Sequence, residues 1–351
     1  MKNILGVFLS LFLLNACNLS HRGADKVHFD INADPFETLS AYGFFTGDIA
    51  ELKPNKGVVE YSLINTMFND YARKKSFVYV PEGKQLETDS AGRFIFPEGS
   101  CLINCVYYLR DERDETNGKL LVETQLLAKE KSNWISRNYV WNEEQSDAEL
   151  NIVGDSKKIK WLDKNGSERE VDFVIAGKNQ CKSCHNSNGQ LVPIGFTAEE
   201  LNHKKQLEKW SELGLLNPGA MPKNFSPHVF WKDTGALLDT RVRAYLHINC
   251  AYCHSEKGPA KTSGLLLNYE NQNMETYGIC KTPPSAGRGS CNLRYDIVPG
   301  KPGESIIVCR MAATDLETKM PELGRTTTDN EGVSLIINWI LQLKGDCKAN
   351  E

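Results

Sequence analysis

Between residues 57 and 176, short runs of apolar residues alternate with polar ones. GVVEYSL, SFVYVP, RFIFP, CVYYL, LLVETQLL, NYVWN, KIKWLD and EVDFVIA carry the two-residue period or the compact β-branched and aromatic content of strands. PEGK, DSAG, TNGK and DKNGS stand between several of them as turn signals. Many short strands joined by polar turns predict a β-rich, sandwich-like domain over residues 35–178. DPFETLSAYGFF and NTMFNDYARK read as helices that cover one edge. After residue 180 the pattern becomes helix and loop. TAEELNHKKQLEKWSELG opens on a capping box, Thr197 and Glu200, puts Leu207 and Trp210 on one face and stops at Gly214. LDTRVRAYLHIN predicts a short helix. DNEGVSLIINWILQLKG predicts a strong terminal helix closed by Gly345. The expected class is α+β: a β-rich, sandwich-like N-terminal domain, then a mostly α-helical region divided into 179–236 and 237–347.

The N-terminus sets the compartment. One basic side chain in MKN precedes an apolar or small run from Ile4 to Leu14, too short to span a bilayer and suited to a secretory signal. LNAC, Leu14 to Cys17, resembles a bacterial lipobox. A lipoprotein signal over 1–16, acylation of Cys17 and a linker over 17–34 are expected. The plainer alternative is an ordinary cleavage site with an unmodified Cys17. Either way the chain is exported, to the periplasm or outer membrane, and the anchor gives it a membrane attachment. The net charge of −4 gives no basic patch for nucleic acid. The chain has 11 cysteines. Setting aside Cys17 and four in repeated motifs leaves Cys101, Cys105, Cys280, Cys291, Cys309 and Cys347, and export makes disulfides expected. The expected pairs are Cys280 with Cys291 and Cys309 with Cys347. Cys101 and Cys105 on one strand would lie roughly 13 Å apart, too far to bridge; they would then be buried thiols, or the segment turns between them.

The chemistry lies in NQCKSCHNSNG, 179–189, and INCAYCHSEKG, 248–258. Both contain Cys-x-x-Cys-His. The two-residue gap lets two thiols add across the two vinyl groups of haem, and the following histidine faces the iron from the same side. Cys181, Cys184, Cys250 and Cys253 are therefore the expected covalent attachments of two haem c groups, with His185 and His254 as iron ligands. A four-thiolate zinc site built from those cysteines would leave both histidines without a role. A thioredoxin-like disulfide would need a βαβ setting that is missing. Met320, in the loop KMPELGR and off any helical stripe, is the expected sixth ligand beside His254. His/Met ligation raises the reduction potential and favours electron transfer. For the first haem, Met221 in GAMPKNF is the first distal candidate. His228, His203 and Met67 come after it, each more in keeping with a structural role, and an open sixth position is the other option. Arg241, Arg243, Arg288 and Arg294 read equally as partners of haem propionates and as surface residues.

The order of short helix, haem motif, Met-Pro loop and terminal helix resembles a class I cytochrome c domain over 237–347. YSLINTMFNDYARKKSFVYVPEG, YVWNEEQSDAEL, RVRAYLHINCAYCH and AGRGSCNLRYDIVPGKPGES resemble an exported bacterial family of diheme c-type cytochromes encoded beside a parallel β-helix repeat protein. That resemblance implies two covalent haems, an N-terminal domain peculiar to the family, and a redox partner protein, with the β-helix protein as one candidate. The strand after FPEG departs from the family pattern, since SCLINCVYY lacks the lysine found there. The expected function is electron transfer between a periplasmic or surface redox partner and a respiratory carrier. The alternative is a peroxidase- or oxidase-like haem enzyme with an open site at the first haem.

Overall fold

The structure is a computed structural model that describes residues 26–347 apart from 91, 224 and 286. The expected leader over 1–16 and the expected acylation at Cys17 lie outside the described residues. The strands in chain order are β1 Val58–Tyr61, β2 Arg73–Tyr79, β3 Glu87–Thr88, β4 Phe94–Ile95, β5 Cys101–Leu109, β6 Lys119–Glu130, β7 Asn133–Trp141, β8 Ala148–Asn151, β9 Asp155–Leu162, β10 Glu168–Ile175, β11 Asn186–Ser187 and β12 Gln190–Leu191. The helices are α1 Lys178–Cys184, α2 Ala198–Leu201, α3 Gln206–Glu212, α4 Leu238–Leu246, α5 Ile306–Ala312 and α6 Asn330–Gln342.

The expected sandwich is replaced by one six-stranded antiparallel sheet, ordered β1-β2-β5-β6-β7-β8, and a separate β9-β10 ribbon. A single sheet suffices because other chain segments cover both its faces. On one face Phe77, Ile103, Leu126 and Trp141 pack against Tyr42, Phe44, Phe45 and Ile49. On the other, Val78, Leu102, Leu127 and Trp134 meet Phe196, Leu207 and Trp210. Val106 and Tyr108 meet Trp161 and Phe173 of the ribbon. The segment read as a helix over DPFETLSAYGFF makes only the 3-10 turn Ser40–Tyr42. Laying its aromatic rings on the sheet buries more of them than one helical face allows. NTMFNDYARK forms no helix either, and Asp70 and Tyr71 hold φ of 50° and 65°, outside the helical region. Cys101 and Cys105 lie on β5 as buried free thiols.

The mostly helical C-terminal region is also corrected. Residues 237–347 hold α4, α5 and α6 joined by long turns, and no helical cytochrome-like domain is evident. Gly, Pro and Asn are frequent over 256–305 and favour turns. The helices share one core of Val242, Leu246, Tyr277, Ile297, Met311, Ile336 and Trp339. Gly332 is needed there, because a Cβ would collide with the Tyr245 ring. The disulfides are Cys280–Cys347 and Cys291–Cys309, not the expected Cys280–Cys291 and Cys309–Cys347. The second bridge ties α5 to the turn at Gly287–Ser290. Replacing Cys291 and Cys309 together by Ser is expected to cost about 3 kcal/mol for a loop of this length. An unchanged melting temperature would rule out a stabilising bridge.

The helix expected from Thr197 is split into α2 and α3, with Lys204 and Lys205 at φ of 51° and 58° between them. The capping box does not form: Thr197 Oγ1 is buried without a hydrogen bond, and the Glu200 carboxylate is engaged elsewhere. Among the described residues no helix is long and apolar enough to cross a membrane.

Candidate functional site

The second Cys-x-x-Cys-His unit follows α4 through a five-residue π turn, His247–Ala251. Asn249 fixes that turn. Its Nδ2 donates to Tyr245 O at 3.0 Å, and its Oδ1 accepts from Phe68 N at 2.8 Å. The turn delivers Cys250, Cys253 and His254 to the wall of a cavity of about 490 Å³, within the range of small-molecule sites. Met320 lines the same cavity, with Leu265, Leu267, Tyr277, Ile297, Ile306 and Met311 among its apolar neighbours. His254 Nδ1 lies 3.1 Å from Ser263 Oγ, which also accepts from Leu265 N at 3.2 Å. With Nδ1–H donated there, Nε2 keeps the lone pair that a metal takes. Burial, with the charges of Arg310 and Lys281, pulls the imidazole down to about 4, so it is neutral near pH 7.

Met320 sits in a loop that Arg325 holds from inside. Arg325 is buried, and its guanidinium donates to the carbonyls of Met320 at 2.8 Å, Ala313 at 2.9 Å, Thr327 at 2.9 Å and Arg310 at 3.1 Å. Met320 N donates to Arg310 O at 2.9 Å. From the sheet domain, the Asp70 carboxylate accepts from Thr326 and Thr327 through backbone and hydroxyl groups. The loop is thus fixed by the Arg325 bonds to backbone carbonyls and the Asp70 bonds from Thr326 and Thr327, with no helix of its own.

The first unit runs through α1, whose last cysteine is followed by His185 as the C-cap. His185 Nδ1 lies 2.8 Å from Val192 O. A carbonyl only accepts, so Nδ1 carries the proton and Nε2 the lone pair. Burial lowers its pKa, and the charge of Lys74 adds to the effect. The two units adjoin. Asn188 N donates to Lys257 O at 2.9 Å, Cys184 lines the cavity of the second unit, and the Cys184 thiol lies beside the Tyr252 hydroxyl.

The other sequence candidates have separate settings. Met221 packs on the core cluster of Phe196 and Trp210. His228 is buried against Glu200, Nδ1 to Oε1 2.8 Å. His203 Nε2 is 3.0 Å from both the hydroxyl and the carbonyl of Ser62. Met67 lines a polar cleft between the sheet domain and α6. Of the four arginines, Arg241 bonds Trp231 O, Arg243 pairs with Asp239, Arg288 pairs with Glu317 and Arg294 lies over Tyr295. The arginine in the cavity wall is Arg310. Arg310, Ser263, Arg325 and Asp70 carried no signal in the sequence beyond nearness to a motif, because their roles depend on contacts distant along the chain.

No family model, curated protein or solved structure matches the chain. Among the described residues no group of three or more His, Cys, Asp or Glu converges as a metal cluster, and the helical domain of a class I cytochrome c is absent. The resemblance to that class and to the diheme family is therefore not upheld.

Proposed function

We propose that the protein is an exported, lipid-anchored electron carrier with two covalently attached haem c groups. One is held by Cys181, Cys184 and His185, the other by Cys250, Cys253 and His254. The observation that carries this reading is the cavity of the second unit, where two thiols, a neutral imidazole with its Nδ1 engaged, and a thioether share one largely apolar enclosure. Haem bound there supplies a one-electron iron couple, which His/Met ligation tunes toward electron transfer.

The residues fit the group. Each thiol would add across one vinyl, its sulfur bonding to carbon and its hydrogen passing to the neighbouring carbon. His254, oriented by Ser263, and Met320, held by Arg325, would be the residues that ligate the iron. Arg310 brings a half-buried guanidinium to the wall, its Nε donating to Thr318 O at 3.0 Å, and is available to an anionic ring substituent. The contact of Cys184 with Tyr252 would bring the two attachment sites side by side, suiting transfer between them and on to a redox partner protein.

Protein matured with haem is expected to give two covalent haems per chain by pyridine haemochrome, and one after joint replacement of Cys250 and Cys253 by Ala. The visible spectrum should be low-spin, with the weak near-infrared band of methionine-ligated iron(III). Zero covalent haem would overturn the reading. One high-spin haem that binds carbon monoxide quickly would replace electron transfer with enzymatic chemistry at the first site.

A further inference from the structure

We propose that Lys74 is the distal ligand of the first haem iron, opposite His185. The inference rests on the proposed haem function and deepens it. It begins with the register of the sheet. Lys74 pairs with Val106 and Val106 with Glu123; Asn104 pairs with Gln125 and Gln125 with Asn138. Directly paired residues share a face. Lys74, Asn104, Glu123, Gln125, Ser136 and Asn138 therefore make a polar strip across the middle of a face whose ends are apolar. A polar strip on a covered sheet face needs partners.

The first Cys-x-x-Cys-His unit lies over this strip. The Cys181 thiol is beside the Ser136 hydroxyl, and Asn138 Nδ2 reaches Ala176 O, just before α1, at 3.2 Å. Most of the strip is satisfied within itself. Glu123 Oε1 accepts from Gln125 and Oε2 from Asn138, both at 2.7 Å. Asn104 Oδ1 accepts from Ser76 Oγ at 2.7 Å. Among the described residues the Lys74 ammonium has neither a hydrogen bond nor an ion-pair contact, although the charge of the Glu123 carboxylate acts on it. It is enclosed by neighbours yet keeps part of its surface accessible, and it lies near enough to His185 for its charge to act on that imidazole.

An enclosed ammonium without an ion pair is costly. Its neutral form carries a nitrogen lone pair, and lysine loses its proton readily when buried. Coordination takes that neutral amine, and one proton leaves Nζ for solvent. The amides and the hydroxyl on the strip are far weaker ligands. Of the histidine candidates, His203 has Nε2 taken by Ser62, and His228 is held from both sides by carboxylates, Nδ1 by Glu200 and Nε2 at 3.7 Å from Glu270.

The test uses full-length protein matured with haem. Lys74→Arg keeps the charge beside Glu123 but cannot ligate iron, because arginine stays protonated. Two covalent haems should remain by haemochrome, with one of the two low-spin signals lost and carbon monoxide binding gained at one haem. Lys74→Met should restore low-spin iron with a second methionine–iron band. A Lys74→Arg spectrum identical to the parent would overturn the proposal, and loss of one low-spin signal in Met221→Ala would then pass the role to Met221. If Lys74→Arg takes up one haem, recovery of both in Lys74→Met supports ligation and failure to recover overturns it. Absence of covalent haem in the parent protein is a separate result that removes the haem reading itself.

Discussion

Replacing Asp70 by Asn is expected to destabilise the protein by about 4 kcal/mol and to loosen Met320 from its place in the cavity that His254 also lines. Asp70 is 2 % exposed. Its Oδ1 accepts from Thr327 N and Thr327 Oγ1, both at 2.7 Å, and its Oδ2 accepts from Thr326 Oγ1 at 3.0 Å, while Thr326 N lies 2.8 Å from both oxygens. Hydrogen bonds to a charged acceptor are the stronger kind, and buried donors left without one lose their hydration as well. Asparagine is the informative replacement. It tolerates the φ of 50° at this position, so the loss reports the carboxylate and not backbone strain. Thr326 and Thr327 follow Arg325, whose guanidinium holds the Met320 carbonyl. Under the proposed haem function, the same variant matured with haem should therefore weaken the methionine–iron band while leaving the covalent count at two. A denaturant midpoint equivalent to less than about 1 kcal/mol of change, with the band intact, would show that the sheet domain does not brace the ligand loop.

The second large effect is expected at Glu200, which is fully buried. Its carboxylate accepts from Asn65 N at 2.8 Å and from His228 Nδ1 at 2.8 Å. Asn65 also bonds Val229 O at 2.9 Å and Trp231 N at 3.0 Å. The group thus joins the sheet domain, α2 and the chain leading to α4. Burial alone would push His228 down. The Glu200 carboxylate, and that of Glu270 3.7 Å from Nε2, outweigh it and raise the imidazole to about 9. His228 also stacks on Tyr269 at 4.0 Å and stands beside the His247 ring, whose pKa burial lowers.

A histidine raised in the folded state stabilises fully below its unfolded value of 6.5. That contribution fades as pH rises and is lost above about 9. Stability should therefore fall by on the order of 3 kcal/mol between those limits. The His228 neighbour holds Glu270 down to about 2, a contribution present above the ordinary glutamate range and lost as pH falls toward that value. Glu200→Gln removes the buried anion and leaves His228 with one distant partner. It should cost about 3–5 kcal/mol at pH 6 and flatten the alkaline slope. Denaturant midpoints measured from pH 5 to 10 decide this, and a parent protein with no slope above pH 6.5 would sink the assignment.

The extent of sequence legibility differs between elements for definite reasons. β5, β6, β7 and α6 were readable because their periods are long and their apolar residues dense, so local pattern and tertiary burial agree. The aromatic-rich segment over 34–45 has helical content but spreads its rings over the sheet. The Thr197 capping box failed because Glu200 finds buried partners in Asn65 and His228, which no local pattern shows. The disulfides are nested, Cys291–Cys309 inside Cys280–Cys347, and not two successive pairs, because bridging depends on where α5 and the chain after α6 come to lie.

The sequence by itself determined the reactive units. Two Cys-x-x-Cys-His stretches and a Met-Pro loop depend on spacings of a few residues, which covalent geometry carries intact into any fold. Tertiary structure decided the rest. It brought Met320 into the cavity of His254, set Cys184 beside Tyr252, and left Lys74 without an ion pair on a polar strip near His185. Those relations join residues tens to about a hundred positions apart, and their distances come from packing and sheet register, which no short window of sequence contains.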